Sequence, residues 1–385
     1  MQMLKLRGSV GYTGNAQFDP YQAITTYKYD SELNYYKGIG AVPILIGNTD
    51  LKWERTMNWN AGLDVELFNR RIEMTFDIYR RITDNLLLDV TIAPSIGQSK
   101  AKMNVGEQLN TGFEIDTRFN VIRNNDWMWS VALSASSNKN KILKISNALR
   151  ELNETNNKEE NLANVVPLYE EGESISAIKA VQSGGIDPLT GREIYIDRFG
   201  KQTFVYDYLD KRVYGDSDPD IEGYIKSFLT YKGLSLNLIF QYSSGVTIYN
   251  STLATRVEGT NWRYNADRRV LTSRWKEPGD VVKYKDIADG TLTKMTSRFV
   301  ADENFFRLSS LTLAYDVPAQ FYEKLSLKRL RLEFKMNDVF RISTIQRERG
   351  LAYPFAWSYS SIRGCAINYI SIMPAGIIFT STIIR

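Results

Sequence analysis

The sequence predicts an antiparallel all-β protein, and three observations carry that expectation. Short segments alternate apolar and polar residues, aromatic residues gather near the segment ends, and the connections alternate between very short and very long. Met57–Phe68 shows the alternation best. Met57, Trp59, Ala61, Leu63, Val65 and Leu67 fall on one face, and Asn58, Asn60, Gly62, Asp64 and Glu66 on the other, with Phe68 breaking the rule at the end. Such a strand has one oily face and one wet face. Alternation alone leaves open whether the oily face meets a protein core or lipid.

The elements follow in order. Leu4–Tyr12 is the first strand, closed by Thr13-Gly14-Asn15, and a long Tyr-, Gly- and Asn-rich loop runs from Gln17 to Arg55. Met57–Phe68 and Arg71–Ile82 form the clearest hairpin, turning at Asn69-Arg70. Gly112–Ile122 and Trp127–Ser137 form a second, turning at Asn124-Asn125-Asp126. The polar stretch Asn147 to Asn164 reads as a mobile loop or short surface helix. Tyr224–Tyr231 and Leu234–Tyr242 flank Lys232-Gly233, which suits a two-residue turn because Gly accepts positive φ. A long loop, Ser243 to Asn304, leads to Phe306–Tyr315 and Leu327–Met336.

Two of these features favour a transmembrane barrel over a soluble sandwich. Tight turns (Asn69-Arg70, Lys232-Gly233) alternate with long connections (17–55, 243–304), as in barrels with short turns on one side of a membrane and long loops on the other. Tyr12, Trp59, Phe68, Tyr79, Trp127, Trp129, Tyr231, Tyr242 and Tyr315 are placed as an interfacial girdle would be. On pattern alone, a large soluble β-protein remains the alternative.

Composition excludes several classes. The 385 residues include 48 basic and 44 acidic ones, a net charge of +4. Arg329, Arg331 and Lys335 share a strand face that Glu333 interrupts, so no nucleic-acid partner is expected. Histidine is absent, which removes most metal sites and histidine-based catalysis, and the single Cys365 allows no internal disulfide. No apolar run approaches the roughly 20 residues of a transmembrane helix, which does not bear on a barrel. Nothing after Met1 reads as a signal peptide, so the chain is expected to be part of a longer protein.

A series of motifs then resembles, in order, the SusC/RagA family of TonB-linked outer-membrane transporters. They are SVGYTGNAQFDPYQ (Ser9–Gln22), NTDLKWER (Asn48–Arg55), IEMTFDIYRRITDNLLL (Ile72–Leu88), NVGEQLNTGFE (Asn104–Glu114), GIDPLTG (Gly185–Gly191), TYKGLSLNLIFQYSSG (Thr230–Gly245), RWKEPGD (Arg274–Asp280), NFFRLSSLTLAYDVP (Asn304–Pro318) and MNDVFRIST (Met336–Thr344). The positions that match are Lys52, Trp53, Glu54, Gly106, Glu107, Gly112, Glu114, Gly185, Asp187, Pro188, Gly191, Arg307 and Leu308.

The resemblance implies an incomplete antiparallel transmembrane β-barrel: the C-terminal portion, over residues 1–354, of a transporter that closes about 22 strands, of which roughly 12–14 are countable here. The plug domain that contacts TonB is absent from this chain. Residues 355–385 form an atypical tail in which Pro374 and Gly376 fit a terminal strand badly. It further implies import of oligosaccharides or oligopeptides across a Gram-negative outer membrane with a SusD-like surface lipoprotein, lipid around the barrel, and no enzyme activity, cofactor or metal.

Tyr35, Tyr36, Tyr249, Trp262, Tyr264 and Trp275 are the expected ligand or partner contacts, because aromatic rings stack on sugars and pack on peptide side chains. The competing role is bracing of their own loops. Asp216, Asp218, Asp220 and Glu222 have calcium-like spacing, but Ile221 and Ser227 stand where an EF-hand needs Gly and an acid, so a solvated turn is expected. Asp187, Asp197 and Asp210 have nothing to position them as a catalytic pair. A soluble or surface-attached binding module without transport, and a non-functional gene fragment, are the alternative readings. Leu4–Tyr12, lacking a preceding partner, is the expected aggregation-prone edge.

Overall fold

The computed structural model describes residues 2–16, 23–35, 38–45, 47–91, 100–157, 168–261, 263, 267, 269–321, 327–345 and 370–374. β1 (Met3–Asn15) opens the wall, and the connection after it, expected as a plain loop, carries a hairpin of β2 (Thr26–Tyr35) and β3 (Gly38–Leu45). β4 (Glu54–Leu67) and β5 (Ile72–Asp84) follow, then the short pair β6 (Leu87–Thr91) and β7 (Lys100–Asn104). β8 (Gly106–Arg123) and β9 (Trp127–Ile145) run well past the sequence expectation. Helix α1 (Asn147–Asn156), β10 (Ala177–Ile186), β11 (Glu193–Ile196), β12 (Gln202–Thr203) and β13 (Lys211–Asp216) occupy the next long connection.

The wall resumes with β14 (Ile221–Tyr231) and β15 (Leu234–Ser244). β16 (Thr247–Tyr249) and β17 (Val300–Asp302) bracket the last large connection before β18 (Phe305–Asp316), β19 (Leu327–Ser343) and β20 (Ile370–Pro374). Ten strands form one antiparallel sheet in the order β1-β4-β5-β8-β9-β14-β15-β18-β19-β20, which is open among the described residues. The remaining strands pair inside the connections. The sequence count of roughly 12–14 had merged wall strands with some of these. Pro374 does sit in a strand, but at the end of the sheet's last strand, opposite Leu327, where a missing N–H is tolerated.

Register across the wall explains the alternation. One row reads Leu4, Val65, Met74, Thr117, Leu133, Ile225, Phe240, Leu308 and Phe340 across nine strands. The row one residue away reads Lys5, Asp64, Thr75, Asp116, Ser134, Tyr224, Gln241, Arg307 and Arg341. A one-residue slip in any strand would exchange its two faces, so the pattern pins every register. On the apolar face, in strands paired on both sides, Ile78 is 48% exposed, Leu133 40% and Leu332 45%. A sandwich would cover these side chains with a second sheet; among the described residues no second sheet does. The apolar face is the outward, lipid-directed one.

The polar face is knitted by charges and close crossings. Arg7 donates to Asp64 at 2.9 Å and to Asp77 at 2.9 Å, spanning three strands over Gly62. Tyr79, expected in the girdle, lies on this face because its position has the parity of Asp77. Its ring crosses Gly112, where an added Cβ would meet the phenol oxygen at 2.5 Å, and its hydroxyl donates to Asn138 at 3.1 Å. The outward aromatics do form an end belt: Trp127 stacks on Tyr231 across the strands with ring centroids 4.1 Å apart, and Tyr315 stands opposite Leu234 beside them. The belt lies at the end with the tight turns. Lys232 (φ 43°) and Gly233 (φ 89°) both take the positive φ of a type I′ turn, and Phe68, Asn69 and Arg70 also turn through positive φ.

β1 is paired on one side, by β4, so its other edge is open among the described residues. The wall orientation gives a direct test. Leu238→Arg on the outward face should cost about 2–4 kcal/mol of folding stability in bilayers, whereas Asn237→Arg, one residue away on the polar face, should stay within about 1 kcal/mol. Denaturant titration in vesicles measures both, and equal costs would reverse or abolish the assigned faces.

Candidate functional site

All long connections leave the same end of the wall, opposite the tight turns. Two hubs organise them. In the first, Asn104 ties the Lys52 backbone at both its polar groups: the Asn104 carboxamide oxygen accepts from the Lys52 N–H (2.9 Å) and its Nδ2 donates to the Lys52 carbonyl (2.8 Å) and to that of Asn85 (2.8 Å). Buried Glu54 accepts the Leu87 N–H at 2.8 Å. Gly106 has φ +149°, and a Cβ there would meet the Lys144 carbonyl oxygen at 1.9 Å, so only glycine fits. Beside it Val105, fully buried, packs with Leu149 and Leu152 of α1. Of the polar stretch expected as a mobile loop or short surface helix, Asn147–Asn156 is thus a helix with an anchored apolar side, and residues 158–164 lie outside the described ones.

The second hub is a folded unit built from two connections, 168–220 and 245–304. β12, β11, β10 and β13 make a four-stranded sheet, and β16 pairs with β17. Ile178, Ala180, Tyr249, Ala254, Val257, Val270, Tyr284, Met295 and Phe299 form its core. Arg298 ties the unit together. Its guanidinium donates to both Glu193 oxygens at 2.7 Å and to both Glu258 oxygens at 2.6 and 2.8 Å. Burial works against the Arg298 charge, but the two carboxylates outweigh it and hold its pKa above the ordinary value. Arg274 caps the chain end of the π-helical segment Leu253–Glu258, donating to the carbonyls of Val257 (2.6 Å), Glu258 (2.7 Å) and Lys285 (3.1 Å).

Between wall and folded unit lies a cavity of about 540 Å³ lined by Lys139, Glu173, Asp216, Asp220, Thr247, Asp302 and their neighbours. Lys139 pairs with Asp220, and Asp218 accepts from Asn140 at 2.7 Å. The Asp216–Asp220 carboxylates are therefore engaged by protein groups in a turn. Among the described residues no group of three or more metal-type ligands is assembled. Near β12, Phe199, Phe204, Val205 and Leu209 are exposed, Val205 to 72% and Phe199 to 78%. Arg198, paired to Asp207 and Asp210, fixes the turn that presents them.

Comparison with known proteins decides the family. The model for "TonB dependent receptor-like, beta-barrel" matches residues 2–261. The chain belongs to this family of TonB-dependent outer-membrane transporters. TonB-dependent receptor P3 of Formosa agariphila is 30% identical over 358 residues, covering 85% of this chain and 34% of that protein. TonB-dependent receptor SusC of Bacteroides thetaiotaomicron is 25% identical over 282 residues, covering 70% and 26%. Among solved structures, the RagAB peptide transporter superposes with a TM-score of 0.75 at 23% identity, over 89% of this chain and 37% of the other. The chain spans about a third of the length of these relatives.

Several TonB-receptor motif residues prove to be structural joints. Lys52, Glu54 and Gly106 make the first hub. Gly185, Asp187, Pro188 and Gly191 shape a turn on which Trp275 rests: its indole N–H donates to the Pro188 carbonyl at 2.9 Å and its ring lies over Gly191, φ +69°, where a Cβ would come within 2.6 Å. The Asp187 carboxyl is held below its usual range chiefly by the Thr190 hydroxyl. Glu107 and Glu114 stand in β8, Glu114 on the polar face beside Asp77, and Gly112 seats Tyr79. Arg307 donates to Gln241 at 2.8 Å, and Leu308 is buried. Trp53 is exposed.

Of the expected contact aromatics, Tyr249 is 8% exposed and packs edge-on against Phe299, while Trp275 is half-buried on its turn. Both rings serve the folded unit's own packing. Tyr35 ends β2 opposite Gly38; Tyr36, Trp262 and Tyr264 lie outside the described residues. Sequence reasoning missed Arg298, Glu193 and Glu258. Their separation along the chain gives no local signal, since only the fold of two connections brings them together.

Arg298→Met should therefore unpair two buried carboxylates and cost the folded unit about 3–5 kcal/mol. Hydrogen exchange over 177–302 should accelerate while the wall keeps its heat-modifiable migration; unchanged exchange would remove Arg298 from its organising role. A second test uses pH. Burial, with Lys179 nearby, lowers the Lys211 pKa to about 8 against 10.5 unfolded, so the unfolded chain holds more protons between those values and stability rises with pH there. Above about pH 10, buried Tyr195, Tyr206 and Tyr249, whose pKa values are raised, reverse the slope. Lys211→Met should raise stability at neutral pH and remove the rise, as read by exchange in 177–216.

Proposed function

We propose that this chain supplies wall and external loops of an outer-membrane importer of oligosaccharides or oligopeptides that works with a SusD-like surface lipoprotein and draws its energy from TonB through a plug region outside these residues. The observation that carries the reading is the folded unit at the long-connection end: a family barrel wall topped by a packed, charge-tied structure that borders an open cavity and exposes apolar side chains near β12. An exposed apolar patch on a soluble part of a protein often marks a place where a partner docks. Phe199, Phe204, Val205 and Leu209 suit the lipoprotein's docking. The cavity carries Lys139 and four carboxylates, Glu173, Asp216, Asp220 and Asp302, and no aromatic platform, which supports a peptide's charged groups over a sugar face at that point.

Tyr35, Tyr36, Trp262 and Tyr264 remain the proposed aromatic contacts to ligand or lipoprotein. Tyr249 and Trp275 contribute by holding their loops in place. Deleting the gene in its host and supplying oligopeptides or oligosaccharides as the limiting nutrient tests the transport reading; undiminished growth on both would overturn it. Docking has its own readout. Phe199→Asp with Val205→Asp should reduce co-purification of the lipoprotein about tenfold or more, while uptake of unrelated nutrients is unchanged.

A further inference from the structure

We propose that the outward face of β1, β4 and β5 is a binding site for one anionic lipid, its acyl chain in a groove over Gly8 and Ala61 and its headgroup phosphate on Arg80. The groove has a volume of about 390 Å³. Gly8, Ala61 and Ile78 stand in one cross-strand row, and the two small residues leave its floor low. Space above Gly8 is open, since a Cβ there would meet nothing within 4 Å. Val10 and Trp59, both strongly exposed, rise along one side. Ser9, Asn60 and Tyr79 border the groove but have the parity of the polar face, so among the lining residues on the outward face Arg80 is the charged one.

Arg80 has the parity of Ile78 and Ile82 and sits directly between Trp59 and Thr111 in the neighbouring strands, so it projects from a patch whose other members carry no charge. The other arginines of these three strands that have ion pairs show what it lacks: Arg7 is held by Asp64 and Asp77, and Arg55 by Asp84. No carboxylate among the described residues pairs with Arg80. A guanidinium bordering lipid is costly without an anion, and its planar fork fits a phosphate with two parallel hydrogen bonds.

Depth agrees. Arg80 lies eight residues beyond Ile72, which borders the tight turn; a tilted strand covers roughly 20 Å of bilayer normal in that length. That places the guanidinium near the level of outer-leaflet headgroups, with Trp59 as the interfacial ring beside it. An acyl chain running from that level toward the membrane centre passes over Ala61 and Gly8. The occupant chosen is thus an outer-leaflet lipid with net negative phosphate charge.

Trp59 provides the probe. The transporter extracted whole from outer membranes is placed in phosphatidylcholine vesicles containing either brominated phosphatidylglycerol or brominated phosphatidylcholine, and quenching is compared with that of Trp59→Phe to isolate the Trp59 signal. Half-maximal quenching should need about tenfold less of the anionic lipid. Arg80→Gln should remove that preference yet leave quenching by both lipids, Arg80→Lys should retain it in weakened form, and Ala61→Leu should reduce quenching by both. Heat-modifiable migration shows that each variant is folded. Equal quenching in the unaltered protein, a preference that survives Arg80→Gln, or a Trp59 shielded from both lipids by a second copy would each overturn the proposal.

Discussion

A backbone in hydrocarbon has no water to satisfy its N–H and C=O groups, and the whole wall answers that constraint. Each strand inside the ten-stranded wall, from β4 to β19 in sheet order, is paired on both sides, and the pairing is antiparallel throughout. Once the ladder is fixed, side chains alternate by geometry, and one face must accept lipid while the other accepts water. Leu4 through Phe340 and Lys5 through Arg341 are the two results of a single rule. The charges of the inner row do not weaken the wall, because they cross-link its strands: Arg7 reaches both Asp64 and Asp77.

Outside the bilayer the constraint changes sign. Water is plentiful, and a long connection orders only if it buries enough apolar surface of its own. Two connections do this jointly, pooling Ile178 and Ala180 from one with Tyr249, Val257, Met295 and Phe299 from the other. Arg298 then selects one mutual arrangement, since Glu193 and Glu258 come from different connections and both must reach it. Family motifs that look like substrate-facing signatures in the chain act as joints in this scheme, with Asn104 on Lys52 and Trp275 on Gly191 as the clearest pairs.

The wall was legible because period two is a strong local signal and register propagates it from strand to strand. Lys232-Gly233 was legible for the same reason: a positive-φ requirement is written in the residue itself. The β2–β3 hairpin was not, since neither TYKYDSELNY nor GIGAVPIL sustains an apolar–polar alternation along its length. Tyr79 misled because strand-end aromatics look alike until parity assigns them to water or lipid. For Tyr249 the residue type suits either ligand stacking or a core, and only the partner Phe299, distant in sequence, separates the two.

The folded unit is fed by connections that leave and rejoin the wall on either side of the β14–β15 hairpin. Its core cannot close until both connections stand on the same side of the membrane, which requires that hairpin to be in place. The nonpolar side chains gathered behind Arg298 thus share a core only once two segments far apart in the chain have been brought to one end of the wall, so the loop structure depends on the wall for its own folding.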